Sequence, residues 1–260
     1  MFKKLLVPLD GSDIAERTLP YALLLATRFN ASLSLLTVID PGALDVRSRI
    51  NEVFGPWEAA QRVRLEALSR RLSKSGVEVD VEVEYGTPSS KILDLARSGR
   101  FDLIVMASRG KNLLGWAMLG SVAYSVLHAS SIPVFIVAPE QTPRQSSVAV
   151  KFERIVVPLD GTKAAESSLP YAEGFAQAFS VPLRLVRVFP DESGFPKLFT
   201  KSLPTRAVAD LEKSACAYLD IVAGRLAKKG FDVTWECVGG SPAPRIIESL
   251  RGPEHNLVII

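Results

Sequence analysis

The chain has 260 residues, 47% of them hydrophobic and 23% charged, and its 31 basic and 28 acidic side chains leave a net charge of +3. That length suits one large domain or two modest ones, with ample apolar material for a core. The charge is too balanced for a dedicated nucleic-acid binder, and no basic stripe with interleaved aromatics occurs, so nucleic acid is not an expected partner.

Cys216 and Cys237 are the only cysteines. They form neither a disulfide framework nor a CxxC pair, and they read as two small buried hydrophobes. The N-terminal run Met1 to Asp10 has the charge of a signal peptide, but Pro8 and Asp10 break its apolar stretch. No run approaches the roughly 18 apolar residues of a membrane span. A cytoplasmic protein, with no membrane among its partners, is the expectation.

In chain order, Leu5 to Leu9 is a short apolar run ended by Asp10-Gly11, the pattern of a buried strand followed by a turn. Ser12 or Asp13 can cap the next helix, where Ile14, Leu19, Ala22, Leu23, Ala26 and Phe29 keep helical spacing. Pro20 predicts a kink or a helix start nearby. Leu33 to Ile39 is a second strand, and a loop rich in Pro, Gly and Trp leads to a helix near 57–75. Val77 to Glu84 alternates strictly, so it is a strand with one polar face and belongs at a sheet edge. Gly86-Thr87-Pro88-Ser89 is a loop and helix start, Ile92 to Ala96 is helical, and Leu103 to Met106 is a fourth strand. A glycine-containing loop over 107–121 precedes a helix running to about Ala129, and Ile132 to Val137 is the last strand.

Gln141 to Val150 is polar, contains proline and shows no period, as a linker does. The chain then repeats itself. At an offset of 150 without a gap, residues 4–38 match the later stretch at 16 of 35 positions, among them Val7-Pro8-Leu9-Asp10-Gly11 and Leu19-Pro20-Tyr21-Ala22. From Ser75 the match resumes at an offset of 154, and Phe101 to Met106 aligns with His255 to Ile260. The expected organisation is a first domain over 1–140, a linker over 141–150, and a second domain over 151–260 without the counterpart of residues 107–140. That second domain reads as shortened or atypical.

Strands alternating with helices predict an α/β fold, a doubly wound parallel sheet covered on both faces by right-handed crossovers. In the order 3-2-1-4-5, strands 1 and 4 are neighbours whose connections leave to opposite faces. Ligands bind at that switch point, beyond the carboxyl ends of the strands. The segments meeting there are Pro8-Leu9-Asp10 and Met106-Ala107-Ser108-Arg109-Gly110. Gly110 lets backbone approach an anion, and Gly120-Ser121 opens a helix whose first amides and positive dipole end suit phosphate. The Ser121 hydroxyl adds a donor, Arg109 or Lys111 adds charge, and Asp10 can accept from a ribose hydroxyl. Two loop glycines alone serve equally well for turning and capping, with Ser121 as a simple N-cap. Neither G-x-x-x-x-G-K-[ST] nor G-x-G-x-x-G occurs.

The spacing matches a family. Ala107-Ser108-Arg109-Gly110, nine residues and then Gly120-Ser121 resembles the G-x-x-G, nine residues, G-[S/T] loop of the universal stress protein family in its tandem form. Pro8-Leu9-Asp10 and Val38-Ile39-Asp40 are similar to that family's P-x-D and V-x-D. The resemblance covers nearly all of both copies. It implies two tandem five-stranded sheets of the adenine nucleotide α-hydrolase-like type, the second lacking its last helix and strand. It also implies an ATP site (or AMP or ADP) in which Asp10 contacts ribose, Val38 presents backbone to adenine, and Ala107, Gly110, Gly120, Ser121 and Val122 surround the ribose and phosphates. Alanine at 107 departs from the motif. If the position requires φ > 0, it costs about 1 kcal/mol, or roughly ten-fold in affinity; if the backbone there is ordinary, alanine merely adds a methyl near the phosphates. The second copy keeps Pro158-Leu159-Asp160 and Val188 without a glycine loop, which predicts an adenosine-shaped half-site at most.

Only His128 and His255 exist, so no histidine triad or metal cluster is expected, although Asp10 leaves a role for Mg2+. The implied function is an ATP-binding stress-response regulator acting through conformation or partner proteins, not an enzyme, with room for slow ATP hydrolysis. The alternative is a nucleotide-free scaffold dimerising through 132–137, a strand by which family members often pair. A ligase-like enzyme of the wider fold class would need further acidic or cysteine residues around the loop.

Overall fold

The apolar run of Leu5, Leu6 and Val7 is fully buried and becomes β1 (Lys4–Pro8), the middle strand of its sheet. The computed structural model describes residues 1–42, 50–109, 119–138, 150–191, 205–250 and 256–260. They divide into two units, Met1–Val150 and Lys151–Ile260. The predicted linker falls on 141–150, of which 141–149 lie outside the described residues.

In unit 1, β1 is followed by a one-turn helix α1 (Asp13–Glu16) and then α2 (Leu19–Phe29). Ser12 is the N-cap of α1, its side chain accepting from the Ala15 amide at 3.1 Å. Pro20 begins a helix here: it sits in the first turn of α2, where its missing N–H leaves no bond unmade. β2 (Ser32–Ile39) follows, then α3 (Ile50–Ser73), β3 (Val79–Tyr85), α4 (Pro88–Arg97), β4 (Leu103–Ala107), α5 (Ser121–Ala129) and β5 (Val134–Val137). All pairings are parallel, in the order β3-β2-β1-β4-β5. The alternating strand is at the edge, as its polar face requires.

Strand periodicity divides the core. Leu6, Leu36, Ile104 and Met106 point to one face, where Ile92 and Ala96 of α4 and Ala123 and Val126 of α5 cover them. Leu5, Val7, Leu33, Leu35 and Val105 alternate to the other face and are equally buried. Two polar side chains inside this sheet are satisfied: the Thr37 hydroxyl donates to the Leu9 carbonyl at 3.0 Å, and that of Ser34 to Glu82 at 3.1 Å.

Three predicted boundaries shift. The helix expected near 57–75 begins at Ile50 and runs through Gly55 and Pro56; an interior proline removes one ladder donor and crowds the carbonyl four residues back, a cost offset by packing of the helix on β2 and β3. The third strand begins at Val79, and Val77 is buried ahead of it. The fifth begins at Val134, since Pro133 has no N–H for the ladder and contributes only its carbonyl, to the Ile104 amide at 3.0 Å.

Unit 2 repeats the plan with β6 (Arg154–Pro158), α6 (Lys163–Glu166), α7 (Leu169–Phe179), β7 (Leu183–Phe189), α8 (Thr205–Lys228), β8 (Val233–Gly239), α9 (Pro242–Ser249) and β9 (Asn256–Val258). Its described strands form a parallel four-stranded sheet, β8-β7-β6-β9. The duplication is visible in atomic detail. Thr162 caps α6 as Ser12 caps α1, and the left-handed residues that end α2 and α7 are Asn30 (φ 52) and Ser180 (φ 55). One expectation changes: Cys216 and Cys237 are half-buried and adjoin each other. Burial, and then the hydrogen bond with Cys216, push the Cys237 thiol up to about 12. No helix among the described residues is long and apolar enough to cross a membrane.

Candidate functional site

β1 and β4 are hydrogen-bonded neighbours, with Leu5 opposite Leu103 and Leu6 opposite Ile104. Their chains leave to opposite faces, β1 towards α2 and β4 towards α5, so a crevice must open beyond their carboxyl ends. A cavity of about 760 Å³ lies there. Of the predicted site residues, Pro8, Leu9, Asp10, Val38, Met106, Ala107, Arg109, Gly120, Ser121 and Val122 all line it. Gly110 lies outside the described residues, as does Lys111.

Two carboxylates, Asp10 and Asp40, follow the ends of β1 and β2 and also line the cavity. Asp10 Oδ1 accepts from the Ser12 amide at 2.9 Å and the Ser12 hydroxyl at 2.5 Å, while Asp40 Oδ1 accepts from the Gly42 amide at 2.8 Å. Both side chains therefore organise the turn they belong to as well as facing the cavity. The Asp10 turn is braced from outside by Arg64 of α3, which binds Glu16 at 2.7 Å and also donates to the Gly11 carbonyl.

The structure fixes three details of the loop motif that the sequence leaves open. Gly120, with φ −62 and ψ 150, is itself the N-cap of α5, so Ser121 is the first helical residue and not the cap. The Gly120 amide donates to the Ser108 carbonyl at 2.8 Å, which ties the helix start to the end of β4 and spends that N–H on the fold. The amides of the following residues, Ser121 and Val122, have no intrahelical acceptor because they lie in the first turn. Ala107 closes β4 opposite Val137 and is not among the residues with positive φ. The strain feared at that position is absent, and its methyl only adds to the wall.

Several lining residues escaped the sequence reading: Trp57 from α3, Pro88 and Ile92 from α4, and Tyr124 from α5. Pro88 and Ile92 were read only as helix residues. Trp57 stands where the loop rich in Pro, Gly and Trp gives way to the helix predicted near 57–75, and no motif marks it as part of a site. Tyr124 is 55% exposed with its ring 4.1 Å from that of His128, and it sits at i+3 from Ser121. Helical spacing from Ser121 was the one available pointer.

In unit 2 the counterpart of Asp10 is Asp160, whose Oδ1 accepts from the Thr162 hydroxyl at 2.7 Å and the Thr162 amide at 2.8 Å. Those bonds hold its carboxyl below the usual range, and Arg187 adds to the effect. Arg187 stands where unit 1 has Thr37. Its guanidinium lies 4.7 Å from the Tyr218 ring centroid and so close to Gly161 that a Cβ there would meet Nη2 at 3.0 Å. The second copy thus puts a cation beside the turn where the first has a small buried hydroxyl.

The model of the Universal stress protein family matches residues 1–138 and again 151–260. The chain belongs to the universal stress protein family. Relatives within that family include universal stress protein YxiE of Bacillus subtilis, 33% identical over 147 residues that make up 53% of this chain and 99% of YxiE. Another is universal stress protein MJ0531 of Methanocaldococcus jannaschii, 30% identical over 144 residues, 53% of this chain and 82% of the relative. Both span about half of the present chain, as one universal stress protein unit does. Among solved structures, a universal stress protein from Archaeoglobus fulgidus superposes with a TM-score of 0.69 at 23% identity, covering 95% of this chain and 82% of that one. At that identity it speaks for the fold, which it shares from end to end.

Proposed function

We propose that unit 1 binds an adenine nucleotide, ATP or its hydrolysis products AMP and ADP, and that occupancy alters the conformation or partner choice of a stress-response regulator. The observation that carries this reading is the single cavity that gathers Asp10, Val38, Ala107, Arg109 and the first turn of α5 at the switch point. A helix N-terminus and a guanidinium favour a phosphate, a carboxylate at the end of β1 suits ribose hydroxyls, and Leu36, Val38, Pro88 and Ile92 supply apolar wall for a base. Magnesium fits the site as a passenger. Asp10 and Asp40 already accept backbone amides, so the ion would be carried mainly on the phosphates, as hard cations with several retained waters usually are. Among the described lining residues the two carboxylates, Asp10 and Asp40, each already accept from a backbone amide, which supports binding more than strong catalysis. The reading is a binding protein with slow hydrolysis at most.

Denaturing the purified protein and identifying the released small molecules by mass spectrometry, followed by calorimetric titration of the stripped protein with ATP, tests this directly. Stoichiometric adenine nucleotide, or saturable binding in the micromolar range, is expected. A protein that releases none and binds none removes the proposal.

A second reading, compatible with the first, is self-association through β5. That strand ends the sheet order of unit 1, and an edge strand presents a row of backbone groups to any partner chain. Sedimentation equilibrium should show a concentration-dependent dimer, and a strict monomer at high concentration contradicts it.

A further inference from the structure

Trp57 lies in α3, a helix that packs on β2 and β3, on the opposite side of the switch point from α5. It lines the same cavity as Asp10, Val38 and Ser121 yet is 44% exposed, an unusual state for the largest apolar side chain in a protein. Its position is held from both sides. The next residue, Glu58, accepts from the Tyr85 hydroxyl at 2.7 Å. Tyr85 is paired in the sheet with Ile39, the neighbour of Val38. One turn earlier in the helix, the Phe54 ring stands 6.5 Å from the indole, tilted at 48°. An aromatic plate is thus held beside the end of the strand that carries Val38, on a cavity whose lining also includes the apolar Leu36, Pro88 and Ile92.

We infer that Trp57 stacks on the base of the bound nucleotide and is the residue that makes the site prefer a large aromatic base over other phosphate-bearing ligands. This rests on the nucleotide reading above and adds the base contact to it. The electrostatic half of the site, Arg109 and the α5 N-terminus, attracts any phosphate and carries no information about a base. A π-face is what distinguishes a nucleotide from a sugar phosphate, and the indole is the one aromatic that the described lining offers from the side away from α5. Stacking also resolves the exposure, because the ligand covers the ring that the fold leaves open.

The test uses the full chain. In a Trp116→Phe/Trp235→Phe background, Trp57 is the sole tryptophan and its emission can be followed during an ATP titration. Saturable quenching with the midpoint of the calorimetric curve is expected, and Trp57→Ala should weaken AMP and ATP by the same factor, about ten-fold, since both carry the same base. Trp57→Phe should recover most of the loss. Emission that stays unchanged at saturating ATP overturns the inference while leaving nucleotide binding intact, as does a folded Trp57→Ala protein binding within two-fold of its parent. A wild-type protein that binds no nucleotide in the calorimeter overturns both readings together.

Discussion

Ala107 closes β4 in ordinary strand backbone with its Cα opposite Val137, so its methyl costs the loop no strain. Replacing it with glycine relieves nothing, and Ala107→Gly should bind ATP within about two-fold of the wild type by calorimetry. The same change should lower stability by about 0.5–1 kcal/mol through backbone entropy, read as a shift in the urea midpoint. A ten-fold gain in affinity would mean that the residue is strained when ligand is present. Asp10 is the contrasting case, because its carboxylate serves the fold and the cavity together. Asp10→Asn keeps an oxygen to accept from the Ser12 amide but loses the charge. We expect the melting temperature to hold and ATP affinity to fall about five- to ten-fold, since a charge-assisted bond is roughly twice as strong as a neutral one. Through strand pattern and family resemblance together, these two residues were legible as members of the cavity lining. Their backbone states were not, because φ at position 107 depends on whether β4 ends before or after it.

At the scale of elements, the N-terminus of α5 separates a phosphate contact from a helix cap. Gly120 caps the helix with φ −62 and ψ 150, an extended conformation that a following proline accepts. Proline is also favoured at the first helical position. Ser121→Pro therefore keeps α5 and deletes one amide and one hydroxyl from the cavity. ATP affinity should drop about ten-fold, as for one or two lost bonds to an anion, while adenosine binding changes little. An equal loss for both ligands would place the Ser121 amide away from the phosphates. Strong periodicity made α2, β2 and β3 readable in advance, and the alternation of Val77 to Glu84 even located the sheet edge. α3 was misjudged at its start, since Gly55-Pro56 looks like punctuation locally. Its face rests on β2 and β3 instead, and packing of that length outweighs the cost of one missing donor.

The whole molecule joins two units with the same plan and different chemistry. In unit 2, Glu166 accepts from Tyr218 at 3.0 Å and from Arg225 at 2.7 Å, and the Arg225 guanidinium first, then Tyr218, keep its carboxyl low. Burial, then the bond to Glu166, raise the Tyr218 phenol to about 12, and Cys237 is raised to a similar value. A group whose folded pKa exceeds its unfolded value lends stability below the unfolded pKa and withdraws it as pH rises through the folded one. Unfolded cysteine and tyrosine titrate near about 8.5 and 10. Unit 2 should accordingly weaken progressively between about pH 9 and 12. Trp235 emission in a Trp57→Phe/Trp116→Phe protein would follow its urea midpoint, and Tyr218→Phe should flatten the decline. A midpoint that is constant from pH 8 to 11 would show that these groups are solvated in the native state.

The family resemblance implied the order of strands in unit 1, whereas the sequence taken alone determined the duplication, the parallel α/β plan and the edge place of the alternating strand. Those follow from periodicity, turn residues and a repeat, all of which are properties of neighbouring positions. Tertiary structure decided the rest. It showed which amide of the Gly120-Ser121 pair is spent on Ser108, that Ala107 is unstrained, that Trp57 reaches the cavity, and that Cys216 adjoins Cys237. Each of these depends on groups brought together by the sheet across many residues of chain, and no local pattern records such distances.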